Sequence, residues 1–251
     1  MDTMESAECS ICGGTGWRYL ESEETHGVSP CTCVQKKKLE KLIHIASIPP
    51  RYEHCSIENF NPITDRLKVV KAAALKFVEE YPLVDCGLLI LGPCGVGKTH
   101  LAVSILREII HKDGAQGLFC DFRDLLKRIQ NSYNPVSQSS ELEILDPVLT
   151  MDPLVLDDLG AERPTEWVRD TVSYIINSRY NRRLTTIITT NFDDRPRESK
   201  VLANGTVLSK EESLEDRIGT RLRSRLYEMC KVIRIEGDDF RLLVKQAKYQ
   251  Y

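Results

Sequence analysis

The sequence predicts an α/β protein: a five-stranded parallel sheet with helices on both faces, preceded by a small cysteine-rich segment. Three observations carry the prediction. Five short runs rich in leucine and β-branched residues are separated by stretches of helical periodicity, and parallel strands buried on both faces read as continuous apolar runs. A glycine-rich loop joins the first of these runs to a helix. The first 33 residues hold four cysteines and little apolar periodicity, so something other than a packed core must hold them.

In chain order, VQKKKLEKLIHIAS at 34–47 reads as a basic amphipathic helix. Pro49-Pro50 ends it, because proline lacks an amide hydrogen and restricts its predecessor. The chain is thereby divided into a cysteine-rich segment at 1–33, a basic helical linker at 34–50 and a main domain at 51–251. In the main domain Thr64 or Asp65 caps a helix reaching to about Tyr81. The predicted strands are 87–91, 118–122, 154–157, 185–190 and 232–235; between them lie helices at 97–111, 123–131, 165–180 and 214–229. The polar stretch 192–213, punctuated by Pro196 and Gly205, reads as a mobile loop or an insertion.

A length of 251 residues allows one sizeable α/β domain with a small appendage. The formal charge of −3 excludes a wholesale polycation, so contact with nucleic acid needs a local basic face. No apolar run approaches the ~18 residues that cross a bilayer, and the opening MDTMESAECS is unlike a targeting segment. A cytoplasmic protein without a membrane partner is expected. Nine cysteines, an odd number, fit thiols kept reduced. Five of them, Cys55, Cys86, Cys94, Cys120 and Cys230, are scattered and read as small buried hydrophobes.

Gly92-Pro93-Cys94-Gly95-Val96-Gly97-Lys98-Thr99 fits the phosphate-binding pattern G-x-x-x-x-G-K-[ST], between a strand and a helix as that pattern requires. Glycines let backbone amides, with the helix N-terminus through His100, point at the phosphates of ATP; Lys98 neutralises charge and Thr99 offers a hydroxyl to Mg²⁺. A buried strand then delivers Asp157 and Asp158 at its C-terminal end. Asp157 is the expected Mg²⁺ partner and Asp158 the group that orients or deprotonates the attacking water. Glu162 is a fallback base. Asn191, ending the strand TTIITT, brings a neutral amide to the same sheet edge to hold water or sense the terminal phosphate.

Arg217, Arg221 and Arg225 are spaced four apart and would share one helical face, where like charges repel unless anions are supplied from outside. Oligomeric ATPases place there an arginine finger that completes a neighbour's site, and Arg225, then Arg221, is the candidate. Only 16 residues follow Ile235, too few for a helical lid; among them Arg241 of GDDFR is a candidate nucleotide contact. Lys127, Arg128 and Tyr133 are candidates for holding single-stranded DNA by charge and stacking. Cys9 and Cys12 form a C-x-x-C knuckle with glycines behind it, and Cys31 and Cys33 can complete a tetrahedral zinc site, with His26 as a possible replacement for one sulfur.

With both motifs, the TTN strand end, the arginine-rich helix and the GDDFR close, the core from about residue 51 to residue 251 resembles the DnaC/DnaI helicase loaders and the IstB transposition helpers, a branch of the AAA+ ATPases. The phrases GVGKTHLA, VLDDLGAE and RIGTRLRSRL carry the likeness. The resemblance implies a P-loop AAA+ domain and an ATP-switched oligomer that hydrolyses ATP, binds single-stranded DNA and delivers or regulates a replicative ring helicase. It also implies that the N-terminal segment touches that helicase. The cysteine-rich N-terminus favours loading over the alternative, an IstB-type transposition helper. A small-molecule phosphotransferase is a competing class, but it needs an acceptor lid for which the sequence leaves little room.

Overall fold

The computed structural model describes residues 9–22, 25–134, 140–194 and 212–243. Five parallel strands form the main sheet: β3 (Gly87–Leu91), β4 (Leu118–Asp121), β5 (Leu154–Asp157), β6 (Thr186–Thr190) and β7 (Cys230–Arg234), in the order β4-β5-β6-β3-β7. Along β3 the side chains alternate between the two faces, as strand geometry dictates. Leu88 and Ile90 enter one core with α1 (Thr32–Ile45), α2 (Asp65–Glu80) and α3 (Lys98–Asp113). Leu89 and Leu91 enter the other with α4 (Phe122–Ser132), α5 (Glu141–Thr150), α6 (Glu166–Asn181), α7 (Leu214–Ile218) and α8 (Thr220–Met229). Burial on both faces explains why the central strands β3, β5 and β6 carry almost no charge, whereas the edge strand β7 exposes Lys231 and Arg234.

Local chemistry sets the helix starts. Thr64 accepts from the Leu67 amide at 3.3 Å, the Asp121 carboxylate accepts from the amides of Arg123 and Asp124, and Thr165 accepts from Val168. Each satisfies an amide that the first helical turn leaves without a partner. The helix α5 lies in a stretch for which the sequence predicted no element. Its Ser140 and Glu143 form a capping box, and it contains Pro147. Arg179 of α6 is fully buried and binds this helix to the sheet, donating to the carbonyls of Val148, Met151 and Thr185 at 2.8–2.9 Å and to Thr186 Oγ1 at 2.9 Å.

Three further differences from the sequence reading have clear causes. Residues 9–16 lead into an antiparallel hairpin, β1 (Trp17–Ser22) and β2 (Thr25–Pro30), with Trp17 opposite Pro30. The segment read as a linker is packed: Leu42 and Ala46 are buried with α3, and the Phe119 amide donates to the Ala46 carbonyl at 2.8 Å. The single helix expected at 214–229 is broken at Gly219, whose φ of 84° and ψ of 155° cannot continue a helix. The arginines therefore do not form one ladder, since Arg217 lies on α7 and Arg221 and Arg225 lie on α8. Beyond β7 the described chain holds one short helix, α9 (Phe240–Leu243). Most of the stretch read as a loop or insertion, including Pro196 and Gly205, lies outside the described residues, as does the His26 side chain. No helix among the described residues is long and apolar enough to cross a membrane.

Candidate active site

Because the sheet is parallel, the segments leaving β3, β5 and β6 gather at one edge. The loop 92–97 leaves β3 and enters α3. It starts in a tight space: a β-carbon on Gly92 would lie 2.2 Å from the Ile235 carbonyl oxygen, so only glycine lets the loop pass under the end of β7. Lys98 opens α3 and is almost fully buried. Its ammonium donates to the Pro93 carbonyl at 2.7 Å and to Asn191 Oδ1 at 2.5 Å. Burial lowers the pKa of Lys98, and the negative charges of Asp158 and Asp157 oppose that shift.

The neighbouring hydroxyl of Thr99 donates to both oxygens of Asp157, at 3.0 and 3.1 Å. Thr189 of β6 donates to the same carboxylate at 2.6 Å. Burial still pushes the Asp157 pKa up to about 6, against these hydrogen bonds and with the help of the charge on Asp158. Asp158 faces the other way around this edge and accepts from Asn191 Nδ2 at 3.1 Å. Lys98, Thr99, Asp157, Asp158 and Asn191, singled out from three separated motifs, thus form one connected polar cluster. A recess of about 410 Å³ adjoins it, bordered by Gly92, Pro93, Cys94, Asn191, Asp193 and Arg234.

The remaining candidates are placed differently. The His100 ring has Nε2 3.2 Å from the Ser56 carbonyl and its centroid 5.8 Å from that of Phe60. Cys94 is exposed and does not behave as a buried hydrophobe. Glu162, the fallback base, forms an exposed ion pair with Arg123 at 3.7 Å. Arg217 pairs with Glu212 at 2.6 Å and lies over the Phe192 ring, at 4.5 Å from its centroid. Arg225 lies over Tyr180 of α6 and donates to Asn177, away from the cluster in its own chain. Arg221 is exposed and has no hydrogen-bond or ion-pair partner among the described residues. Lys127 and Arg128 lie on the exposed face of α4, and Tyr133 caps its end.

Arg241 is exposed on α9, but its charge reaches the site and adds to the lowering of the Lys98 pKa, after burial. The segment before it leans on the phosphate-binding loop. The Phe240 amide donates to the Gly95 carbonyl at 3.2 Å, and the Asp239 carboxylate occupies the space where a residue-95 side chain would project. The sequence shows no sign of that contact. Nor did it single out Thr189, although the doubled threonine before Asn191 marks the place.

At the other end of the chain, the Cys31 amide donates to the Gly16 carbonyl at 2.8 Å and closes the hairpin, which brings the two cysteine pairs together. The four sulfurs lie within 4.8 Å of one another, with Cys9 to Cys31 at 3.8 Å and Cys12 to Cys33 at 3.6 Å. Zinc–sulfur bonds of about 2.3 Å in a tetrahedron place sulfurs about 3.8 Å apart. The Gly16 amide, donating to Cys12 at 3.3 Å, is the main reason that the pKa of this thiol falls to about 6.

A family model for the IstB-like ATP binding protein matches residues 30–248. The chain belongs to that family. This IstB-like chain is 34% identical to a solved structure of the DnaC helicase loader, with a TM-score of 0.62, covering 74% of the present chain and 99% of that one. It is 23% identical over 181 residues to the replicative helicase loader DnaC of Escherichia coli (strain K12), covering 70% of this chain and 73% of that protein. Over 156 residues it is 31% identical to the replicative helicase loader DnaI of Bacillus subtilis (strain 168), covering 62% of this chain and 47% of that protein. The IstB-like fold, a five-stranded parallel α/β sheet carrying a phosphate-binding loop, is thus shared with DnaC.

Proposed function

We propose that this IstB-like protein is an ATPase that loads a replicative ring helicase onto single-stranded DNA in the cytoplasm. The observation that carries the ATPase reading is the cluster in which Lys98 and Asn191, Asn191 and Asp158, and Thr99 and Asp157 are directly hydrogen-bonded. Its donors suit a nucleoside triphosphate. The loop amides and the Lys98 ammonium face phosphate oxygens, and Lys98 exchanges its present bond to the Pro93 carbonyl for one to phosphate. Bound Mg²⁺, held by Thr99 and Asp157, supplies charge neutralisation at the phosphates. Asp158 accepts the proton of the attacking water while Asn191 holds that water in place, and ADP and phosphate leave.

The helicase loaders among its relatives favour helicase loading over help to a transposase. In this reading residues 51–251 are the ATPase domain, residues 34–50 join it to the N-terminal segment, and residues 1–33 are a zinc-bearing contact for the helicase. The sulfur spacing supports zinc, whose role there is to hold a hairpin that has no core of its own. Lys127, Arg128 and Tyr133 hold single-stranded DNA, Arg241 touches the nucleotide, and Arg225, with Arg221 beside it, completes a neighbouring subunit's site.

One panel of variants tests the division of labour. Lys98→Ala is expected to lose most ATP affinity, whereas Asp158→Ala keeps affinity and stops turnover, because one residue neutralises phosphate and the other acts on water. A Lys127→Ala, Tyr133→Ala double variant keeps ATP binding and loses single-strand binding. Equal loss of ATP affinity in Lys98→Ala and Asp158→Ala overturns the assigned roles, and unchanged single-strand binding in the double variant overturns the DNA assignment.

A further inference from the structure

Two successive carboxylates on an extended strand point to opposite faces. Yet Asp157, the last residue of β5, turns to Thr99, and Asp158 turns to Asn191 on the same edge of the sheet. Serving one site with both requires the chain to leave the strand conformation between them. It does so at Asp158, whose φ of 56° is one that residues other than glycine seldom adopt. Nothing within the Asp-Asp pair enforces this turn.

The turn is held by β6. The Thr189 hydroxyl donates its proton to Asp157 Oδ1 at 2.6 Å and accepts the Asp158 amide at 2.9 Å. One residue further on, the Leu159 amide donates to the Thr189 carbonyl at 2.9 Å. Thr189 has no solvent exposure, so water does not compete for either bond. A hydroxyl carries one proton and two lone pairs. Here the proton fixes one carboxylate and a lone pair fixes the backbone of the next residue. Valine has the same shape and can make neither bond.

We propose that Thr189 is a positioning residue that sets the aim of Asp157 toward Thr99 and of Asp158 toward Asn191, so that Mg²⁺-dependent nucleotide binding and hydrolysis both depend on its hydroxyl. The proposal rests on the ATPase reading above. Thr190 supplies the comparison: it is equally buried, but its hydroxyl donates to the Leu159 carbonyl at 2.8 Å and touches neither carboxylate.

The test measures the affinity of a fluorescent ATP analogue for the full chain in Mg²⁺ and in EDTA, alongside thermal melting and turnover. Removing a group that orients a metal ligand typically costs between about tenfold and about a hundredfold. Thr189→Val is expected to lose on the order of tenfold in affinity in Mg²⁺ and at least as much in turnover, with little change in EDTA. Thr189→Ser keeps both, and Thr190→Val keeps the Mg²⁺-dependent gain even where its melting falls. Thr189→Val leaves the Asp158 amide without a partner and can fail to fold. In that case the serine variant decides: a loss of Mg²⁺-dependent affinity in Thr189→Ser as large as that in Thr189→Ala overturns the proposal. A wild-type gain in Mg²⁺ that survives intact in folded Thr189→Val, or that Thr190→Val loses equally, also overturns it. If the wild-type chain shows no Mg²⁺-dependent nucleotide binding at all, the ATPase reading itself fails.

Discussion

Asp157 is only 3% exposed, and its carboxyl is held near a pKa of about 6 chiefly by burial. An unfolded aspartate ionises near pH ~3.9. Between those two values the folded chain binds more protons than the unfolded one, so the contribution of this residue to stability falls as pH rises through the window and stays at its lowest above it. At neutral pH the penalty is on the order of 3 kcal/mol before any cation arrives. Asp157→Asn keeps the shape and removes the buried charge. Without Mg²⁺ or nucleotide, it is expected to melt several degrees above wild type at pH 7.5, about 2–4 °C for each kcal/mol in a chain of this size. The advantage shrinks as pH is lowered toward 4. Melting curves at pH 7.5 and pH 5 check this, and coincident midpoints at pH 7.5 would falsify the burial argument.

At the scale of elements, the N-terminal hairpin is the least self-sufficient piece. Trp17 and Tyr19 are 55% and 84% exposed, so packing contributes little to it. If zinc holds it, the purified chain carries one zinc ion, which Cys12→Ser and Cys31→Ser both lose; metal analysis that finds none in the wild type removes the site. The same exposure hid the hairpin from the sequence, since a strand announces itself by a buried face and the described side chains of this one show none. The central strands β3, β5 and β6 were legible because both of their faces are buried. The break at Gly219 was not, because Leu214, Ile218, Leu222 and Leu226 stay buried at four-residue spacing across it and preserve an unbroken helical rhythm. In the site, Lys98, Thr99, Asp157, Asp158 and Asn191 each belong to a local motif. The Thr189 bonds and the approach of Asp239 to Gly95 depend on strand order and chain closure, which no local pattern encodes.

At the scale of the whole molecule, Arg225 and the cluster of its own chain are engaged separately, Arg225 with Asn177 and Tyr180 on α6. On the proposed reading, Arg225 would act between subunits. Loss of a group that stabilises transition-state charge lowers turnover far more than affinity, so Arg225→Ala and Asp158→Ala are each expected to be inactive while still binding ATP. Mixed together they regain activity, because one interface in the mixture pairs an intact Asp158 with an intact Arg225. Two variants that form mixed oligomers yet never complement would show that Arg225 does not act in trans. The close passage of Gly92 beneath the Ile235 carbonyl has a consequence for inheritance. A side chain at position 92 would collide with the Ile235 carbonyl just beyond β7, so in a cell that also carries the normal gene a Gly92→Val product is expected to misfold, be cleared and behave as a recessive allele. Lys98→Ala, six positions further along the same motif, is expected to keep the fold; if the chain assembles as proposed, its product persists in mixed assemblies and is expected to behave as a dominant allele.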